Sequence, residues 1–387
     1  VSHLVRRATL FCFVWENGSR QMLTHTQPTG LARTLIRNTD EFAIRIWIVD
    51  NCSSMNQADG HRVVQSSEPP FRIQNMDCTR WEEVGSTLLW HAQFAAKMDA
   101  PMVVRMVNDI TNDGGPQQFN VATSAERGVG EEDVPPLQSV MMNTSPQGNN
   151  SLTHHMRQIA NSLLALPEEL QQTKAVAMVL VTDHLPRDRQ GREGEPVNRE
   201  FVEILKMLDG MSVWVVIRLS TDEQRVVDFF NDLDNRMAYV SVEDDAAAAG
   251  GGGVHLDVLD DYVSEAEEVQ KHNPWLNYAY PLHLCRESAV NFPVFDALND
   301  RPLHHEEVGD FMSLLFDRQS QGAVWNDQPL PNPKSDYKAF RREVQLLVNR
   351  NPGLWNPIKK RIVPWIDLGQ MDRLYGGAGG ASCCTLL

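Results

Sequence analysis

Residues 42–54 read FAIRIWIVDNCSS, a β-branched and mostly apolar run that stops at Asp50 and is followed by small polar side chains. Three similar apolar runs occur later in the chain, at 101–107, 175–182 and 211–219. Short, nearly continuous apolar runs are typical of strands that are buried on both faces of a parallel sheet. The stretch 42–54 therefore predicts a buried strand that delivers a carboxylate, a thiol and two hydroxyls to one loop.

Helical patterns alternate with these predicted strands. Apolar residues recur at three- and four-residue spacing in 81–97, 151–166, 199–208 and 222–236, and 254–263 is typical of an edge strand that runs into a helix. Alternation of strands and helices is typical of α/β domains with a parallel sheet. The sequence therefore predicts a doubly wound, mostly parallel central sheet flanked by helices.

The predicted domain organisation follows changes in composition. We expect an unassigned N-terminal segment at 1–38, a sheet domain at 39–265, a helical C-terminal extension at 266–375 and a flexible tail at 376–387. Within the sheet domain, 242–253 contains runs of Ala and Gly without an apolar period, which predicts a flexible surface insertion.

Composition and charge limit the classes of function. The chain has 387 residues, 42% of them hydrophobic, and a formal net charge of −16, so it lacks the basic balance that is typical of nucleic-acid-binding proteins. No stretch approaches the roughly 18 apolar residues of a membrane-spanning helix. The six cysteines are sparse and show no paired metal-binding spacing. This usage favours a reducing compartment and predicts a cytoplasmic protein.

The last four residues match a lipidation signal. Cys384 stands four residues from the end and Leu387 is last, which fits the C-a-a-X prenylation signal and predicts a geranylgeranyl group. Cys383 is a candidate for a second, palmitoyl group, which matters because one lipid chain anchors only marginally. The alternative is a chance cysteine near an unstructured end. The signal predicts peripheral attachment at the cytosolic face of a membrane.

Polar side chains follow the predicted strands. Asp50 ends the first strand, Asp183 ends the strand at 175–182, and a Gly- and Asn-rich turn at 143–156 leads into a helix. In doubly wound sheets, ligands bind beyond the carboxyl ends of the strands. We therefore expect these loops to converge at one edge of the sheet.

This set of loops resembles the von Willebrand factor A-type domain over roughly residues 40–265. The residues that carry the resemblance are Asp50-x-Cys52-x-Ser54, the turn GNNSLT at 148–153, and Asp183 after an apolar strand. In that family the loops form a metal-ion-dependent adhesion site, in which a partner's acidic side chain completes the coordination of Mg²⁺. The resemblance implies a non-enzymatic protein-binding domain with Mg²⁺ held by Asp50, Cys52, Ser54, Asn150, Thr153 and Asp183.

The sequence departs from the family pattern at several of these positions. Mg²⁺ prefers about six hard oxygen ligands, whereas Cys52 offers a soft thiol where the family has Ser. Asn150 falls on the family's Thr position, Thr153 lies three residues later, and His184 replaces the Gly after Asp183. These departures predict a degenerate metal site.

Two alternatives remain open. In the first, a hydrolase uses the same carboxylates with a metal-activated water, and His184 is the candidate base. In the second, the site is vestigial and the domain is a metal-free scaffold, in which Asp50 caps loop amides and Ser54 caps the following helix. Cys285 is interpreted as a packed residue rather than as a nucleophile with His283 as its base, because no orienting third group is visible.

Overall fold

The computed structural model describes residues 12–16, 19–23, 29–65, 73–110, 116–124, 130–167, 175–209, 211–243, 254–290, 292–316 and 329–376. Cys383 and Cys384 lie outside these residues, so the lipidation signal stays a prediction. Residues 244–253 of the predicted insertion also lie outside them.

The strands of the described residues are β1 (Cys12–Glu16), β2 (Ser19–Leu23), β3 (Phe42–Val49), β4 (Gly60–Gln65), β5 (Ile73–Cys78), β6 (Met102–Met106), β7 (Gln118–Val121), β8 (Ala175–Thr182), β9 (Val213–Leu219), β10 (His255–Leu259), β11 (Leu354–Asn356) and β12 (Arg361–Val363). The α-helices are α1 (Thr29–Glu41), α2 (Arg80–Met98), α3 (Val134–Asn143), α4 (Leu152–Leu164), α5 (Glu195–Lys206), α6 (Gln224–Glu243), α7 (Tyr262–His272), α8 (Tyr280–Glu287), α9 (His305–Phe316), α10 (Tyr337–Arg350) and α11 (Leu368–Tyr375).

The central sheet has six strands in the order β10-β9-β8-β3-β6-β7. Neighbouring strands are parallel throughout, except that β7 runs antiparallel to β6 at one edge. The predicted α/β class with a mostly parallel sheet is therefore confirmed. After β3 the chain builds β6 and β7 on one side and then continues with β8 on the other side. This reversal creates a crevice at the carboxyl ends of β3 and β8, where doubly wound folds bind ligands.

Helices cover both faces of the sheet. Successive side chains of a strand point to opposite faces, so β3 places Trp47 in the core under α2 and α3, and Ile48 in the core under α4, α5 and α6. Both side chains are nearly or fully buried, and full burial of such a side chain contributes about 1.5–3 kcal/mol. Burial on both faces explains why the strands read as continuous apolar runs rather than as alternating ones.

The C-terminal extension supplies most of a third apolar core, to which β4 and α2 also contribute. Trp275, Phe311 and Trp365 lie at its centre, together with Leu31 and Leu35 of α1. The N-terminal helix α1, which the sequence left unassigned, thus packs with the extension. The extension also contains the short antiparallel hairpin β11–β12. Among the described residues, no helix combines the length and the apolar character needed to cross a membrane.

A hairpin that the sequence did not predict, β4–β5, is inserted between β3 and α2. Its first residue, Gly60, lies so close to the start of α2 that an added Cβ would be 2.8 Å from the carbonyl oxygen of Thr79. The absence of a side chain at this position therefore allows the hairpin to approach α2 and brings Asp59 beside Arg80.

Candidate functional site at the carboxyl edge of the sheet

Asp50 and Asp183 lie side by side at the chain reversal, because each directly follows one of the adjacent strands β3 and β8. The backbone N–H of Asp50 donates to the carbonyl of Val181 at 3.0 Å, which continues the ladder between the two strands. Both carboxylates are almost fully buried, at 0% and 1% exposure. The backbone N–H of Cys52 donates to Asp50 Oδ1 at 2.9 Å and fixes the start of the loop.

The loop after β3 brings its thiol and one hydroxyl towards Asp183. Cys52 Sγ lies 2.9 Å from Ser54 Oγ and 3.6 Å from Asp183 Oδ1. Ser54 Oγ lies 3.2 Å from His184 Nδ1, and the same ring nitrogen contacts Asp183 Oδ1. Ligand atoms of Asp50, Cys52, Asp183 and His184 all lie within 4.8 Å of one another.

Asn150 reaches Asp50 with its amide nitrogen rather than with its oxygen. Its Nδ2 donates to Asp50 Oδ2 and, at 3.0 Å, to Thr182 Oγ1. Its Oδ1 accepts the backbone N–H of Leu152 at 2.8 Å. A backbone N–H can only donate, so this bond fixes the orientation of the amide. The oxygen that the sequence offered as a metal ligand is therefore used at the start of α4.

Thr153 lies in the first turn of α4 and is buried, with 1% of its surface exposed. Its backbone N–H donates to the carbonyl of Arg187 at 3.3 Å. Within the part of the chain that the structure describes, its Oγ1 has no hydrogen-bond partner. The structure thus places this predicted ligand near the start of α4 without a hydrogen bond to either carboxylate.

Arg80 is the residue of the site that the sequence did not reveal. Its Nη1 donates to Asp183 Oδ2 at 2.9 Å, while Nε and Nη2 donate to the two oxygens of Asp59 at 2.7 and 2.6 Å. Arg80 begins α2, whose N-cap Thr79 forms a capping box with Glu82 and so holds this end of the helix in place. The Arg80 side chain is only 8% exposed, whereas that of Asp59 is 52% exposed.

Burial and charge determine the protonation of the site. Burial, followed by the charge of Asp183, raises the pKa of Asp50 to about 6. Burial also opposes ionisation of Asp183, but the hydrogen bond and charge of His184, with Ser54 and Arg80, outweigh it and lower the pKa of Asp183. Burial and the two carboxylates raise the pKa of Cys52 far above its usual value, so Cys52 is a neutral thiol at neutral pH.

These residues do not fit a Mg²⁺ ion. The ion prefers oxygen ligands, but the site offers a protonated thiol, an imidazole nitrogen and an amide nitrogen beside its carboxylates. The guanidinium of Arg80 already contacts Asp183 and places a positive charge there. Among the described residues, the hydroxyl of Thr153 has no hydrogen-bond partner and offers one oxygen ligand. One such oxygen does not compensate for the thiol, the imidazole nitrogen and the amide nitrogen.

The geometry also lacks the arrangement of a Ser-His-Asp relay. In such a relay, one ring nitrogen of the base contacts the nucleophile and the other contacts the orienting acid. Here Ser54 and Asp183 both lie against Nδ1 of His184. Asp183 therefore does not orient His184 to act as a base on Ser54.

The chain matches no protein-family model and no curated protein. Among solved structures it is similar to the PilB minor pilin from Streptococcus sanguinis, at 13% identity and a TM-score of 0.35, and to a single-substitution mutant of that pilin, at 12% and 0.34. Each match covers 57% of this chain and 57% of the pilin chain, so this chain corresponds to little more than half of the pilin. Similarity at this level supports no functional argument.

Proposed function

We propose that the chain is a non-enzymatic protein-binding domain of the von Willebrand A type, in which Arg80 provides the positive charge at the carboxyl edge and partner binding requires no divalent cation. The observation that carries this proposal is the bonding of one buried guanidinium to both Asp183 and Asp59.

Groups of the chain itself compensate the carboxylates that are buried at the carboxyl edge. A buried carboxylate requires a compensating charge or several hydrogen bonds, because leaving it unpaired costs several kcal/mol. Arg80 compensates Asp183, and the Asn150 amide, the Thr182 hydroxyl and the Cys52 backbone N–H bind Asp50. Since an arginine remains protonated at every physiological pH, this compensation needs no ion from solution.

The surface above these buried groups favours contact with a protein. The loops that follow β3 and precede α4 expose amide side chains at Gln57, Gln147 and Asn149. Uncharged amides offer both donors and acceptors, which suits a polar protein surface. The carboxyl edge at a chain reversal is also where this class of sheet binds its ligands.

The proposal does not include a partner carboxylate bound through a metal. Three of the five donors of Arg80 bind Asp59 and Asp183, and its side chain is only 8% exposed. A partner's acidic side chain would have to displace one of these bonds. The partner is therefore expected to contact the exposed amides and the neighbouring surface.

The test is affinity capture on the immobilised chain, with and without a chelator of divalent cations. We expect the same partner to be captured in both conditions. An Asn149→Lys variant on the exposed rim should reduce capture, whereas Arg199→Met on the exposed side of α5 should not. Capture that requires a divalent cation, or that is unaffected by changes along this edge, would contradict the proposal.

A further inference from the structure

A groove of about 820 Å³ lies between the hairpins β4–β5 and β11–β12 and the first turns of α7. Alternate residues of a strand share a face, so Asn75 and Asp77 of β5 line the floor together, and His61 lies opposite Asp77 on β4. Trp355 of β11 contributes the opposite wall. Its indole Nε1 donates to Asn75 Oδ1 at 2.8 Å, which fixes the ring against the floor.

The wall formed by the second hairpin is apolar. Half-buried Trp355 and Ile358 line it, and Ile362 of β12 is 57% exposed. One exposed and two half-buried large apolar side chains thus lie together beside a concave surface, and contiguous apolar surface of this kind marks binding sites more often than single exposed residues do. The groove therefore offers an aromatic face and an aliphatic edge to a ligand.

Three carboxylates from three different elements line the same groove as this apolar wall. They belong to Asp77 on β5, Asp222 in the loop after β9, and Glu267 on α7. Asp222 accepts the hydroxyl of Ser264 at 3.2 Å, and burial with the charge of Asp261 raises its pKa. Lys360 also lines the groove, and His61 lies 3.7 Å from Asp77. Carboxylates thus outnumber the fixed positive charges, which favours a cationic ligand.

The groove lies next to the candidate site. His61 follows Asp59 by two residues, and the charges of Asp59 and Arg80 both act on Asp222. Asp222 and Glu267 lie in segments that follow the carboxyl ends of β9 and β10. The groove and the candidate site therefore belong to one continuous edge of the molecule.

We propose that this groove binds a partner-protein segment in which a lysine or arginine lies next to an apolar residue. This inference rests on the proposed function, since it names the chemistry of the partner at the same edge. The aliphatic stem of the basic side chain packs on Trp355, and its charged end lies among Asp77, Asp222 and Glu267. The neighbouring apolar side chain packs on Ile362.

Two alternative ligands fit less well. Nucleic acid carries a phosphate on every residue and would be repelled by the carboxylates. A polyamine would satisfy the carboxylates, but it has no apolar side chain to cover Ile362. A basic peptide with apolar neighbours is the ligand that satisfies both walls.

The experiment uses the full chain and three capped heptapeptides that differ only in their three central residues: Gly-Ser-Leu-Arg-Leu-Ser-Gly, the same peptide with Glu for Arg, and the same peptide with Ser for both Leu residues. Spermidine is the fourth ligand. Binding is followed by the indole N–H signals in NMR spectra of tryptophan-labelled protein, and Trp355→Phe identifies the signal of Trp355. We expect the Leu-Arg-Leu peptide to shift that signal and to bind about tenfold more tightly than each other ligand.

Matched variants test which charges are responsible. Asp77→Asn, Asp222→Asn and Glu267→Gln together should weaken binding of the Leu-Arg-Leu peptide about tenfold. The control combines Asp40→Asn, Glu131→Gln and Glu132→Gln, which removes the same number of exposed negative charges away from the groove. The control should leave binding within about twofold, since distant exposed charges are screened by salt. Melting temperatures of both variants establish that the fold is retained.

The outcomes separate the groove from the proposed function. Equal binding of the Arg and Glu peptides, tightest binding by spermidine, or equal loss in both triple variants would overturn the groove proposal. If the peptide binds as expected but partner capture requires a divalent cation, the groove stands and the proposed function fails. If capture behaves as proposed but no peptide shifts the Trp355 signal, the proposed function stands and the groove proposal fails.

Discussion

Two clusters of buried charge use the same residue types in different surroundings. The edge cluster comprises Asp50, Asp59, Arg80, Asp183 and His184 at the carboxyl ends of β3 and β8. The inner cluster lies between the sheet and the extension and comprises Glu83, His91, Arg218, His283 and Glu287. In the inner cluster, Arg218 binds Glu83 and lies 3.4 Å from Glu287, which in turn lies 3.1 Å from His91.

Access to solvent distinguishes the two clusters. The edge cluster reaches the surface through Asp59, which is 52% exposed, and through His184, which is 22% exposed. The side chains of Arg218, Glu83, Glu287 and His91 are between 0 and 7% exposed. The inner cluster joins α8 of the extension to β9 and α2, so its role is to fix their relative position. The edge cluster has similar chemistry at a place that a partner can approach.

The largest effect is expected from Arg218→Met. This change leaves the carboxylates of Glu83 and Glu287 buried without their guanidinium, which should lower the free energy of unfolding by about 3–5 kcal/mol. Urea unfolding followed by circular dichroism measures it. The control is Arg225→Met, which removes a 59% exposed arginine that lies 3.2 Å from Glu193 and should cost at most about 1 kcal/mol. Similar losses in both variants would show that the inner cluster is not a buried ion network.

A smaller loss is expected from Arg80→Met in the edge cluster. Asp183 loses a buried partner, but Asp59 is half exposed and regains hydration, so the cost should be about 2–3 kcal/mol. The same unfolding experiment applies, with Arg199→Met as the control, because the pair of Arg199 with Glu195 is largely exposed. A loss equal to that of Arg218→Met would show that solvent access does not distinguish the edge cluster from the inner cluster in stability.

The edge cluster should also make the free energy of unfolding depend on pH, through the carboxyl group of Asp50. Because the folded state raises the pKa of Asp50 from 3.8 to about 6, it binds the proton more tightly than the unfolded state does. The free energy of unfolding should therefore fall as pH rises from about 4 to about 6, by roughly 1–3 kcal/mol from this group.

The matched variant for this pH effect is Asp50→Asn, which cannot ionise and should make the slope between these pH values less steep. Part of the slope should remain, because burial raises the pKa of Asp234, Asp260 and Asp296 to about 7 and their contributions have the same sign. The lowered pKa of Asp183 acts in the opposite direction and only at lower pH, where its contribution is lost as the carboxylate becomes protonated. An unchanged slope in Asp50→Asn would contradict the assignment.

The smallest effect is expected from Cys52→Ser, which introduces the residue that von Willebrand A-type domains have at the corresponding position. Cys52 is 2% exposed and neutral, so a hydroxyl of similar size should change the free energy of unfolding by about 1 kcal/mol or less. The variant should gain no stabilisation from Mg²⁺, because Arg80 still contacts Asp183. Thermal unfolding with and without Mg²⁺ checks both statements. A clear gain with Mg²⁺ would mean that the thiol, rather than Arg80, excludes the ion.

The sheet could be predicted from the sequence because the residues of each strand carry the apolar pattern that marks it. Runs such as that at 42–49 are buried on both faces, and the polar residues that end them mark the carboxyl edge. The convergence of Asp50 with Asp183 followed from the alternation of strands and helices alone. The orientation of Asn150 did not, because it depends on a hydrogen bond to Leu152 that spacing does not reveal.

The buried arginines could not be predicted for a similar reason. Arg80 binds Asp183, which is 103 positions away in the sequence, and Arg218 binds Glu83, which is 135 positions away. No local pattern marks a pair that forms only when distant elements pack together. The hairpin β4–β5, which places Asp59 beside Arg80, also lacks a sustained alternation of apolar and polar residues. Cys285, expected from the sequence to be a packed residue, is fully buried.

The most direct test of Arg80 as the cation of the edge cluster is a titration of the wild-type chain and of Arg80→Met with Mg²⁺, Mn²⁺ and Zn²⁺. Calorimetry and thermal unfolding are the readouts, and Zn²⁺ is included because a thiol and an imidazole suit that ion. We predict no binding heat and an unchanged melting temperature for the wild type, and stabilisation of Arg80→Met by at least one of these ions. Stabilisation of the wild type by Mg²⁺, with Arg80 in place, would contradict the account.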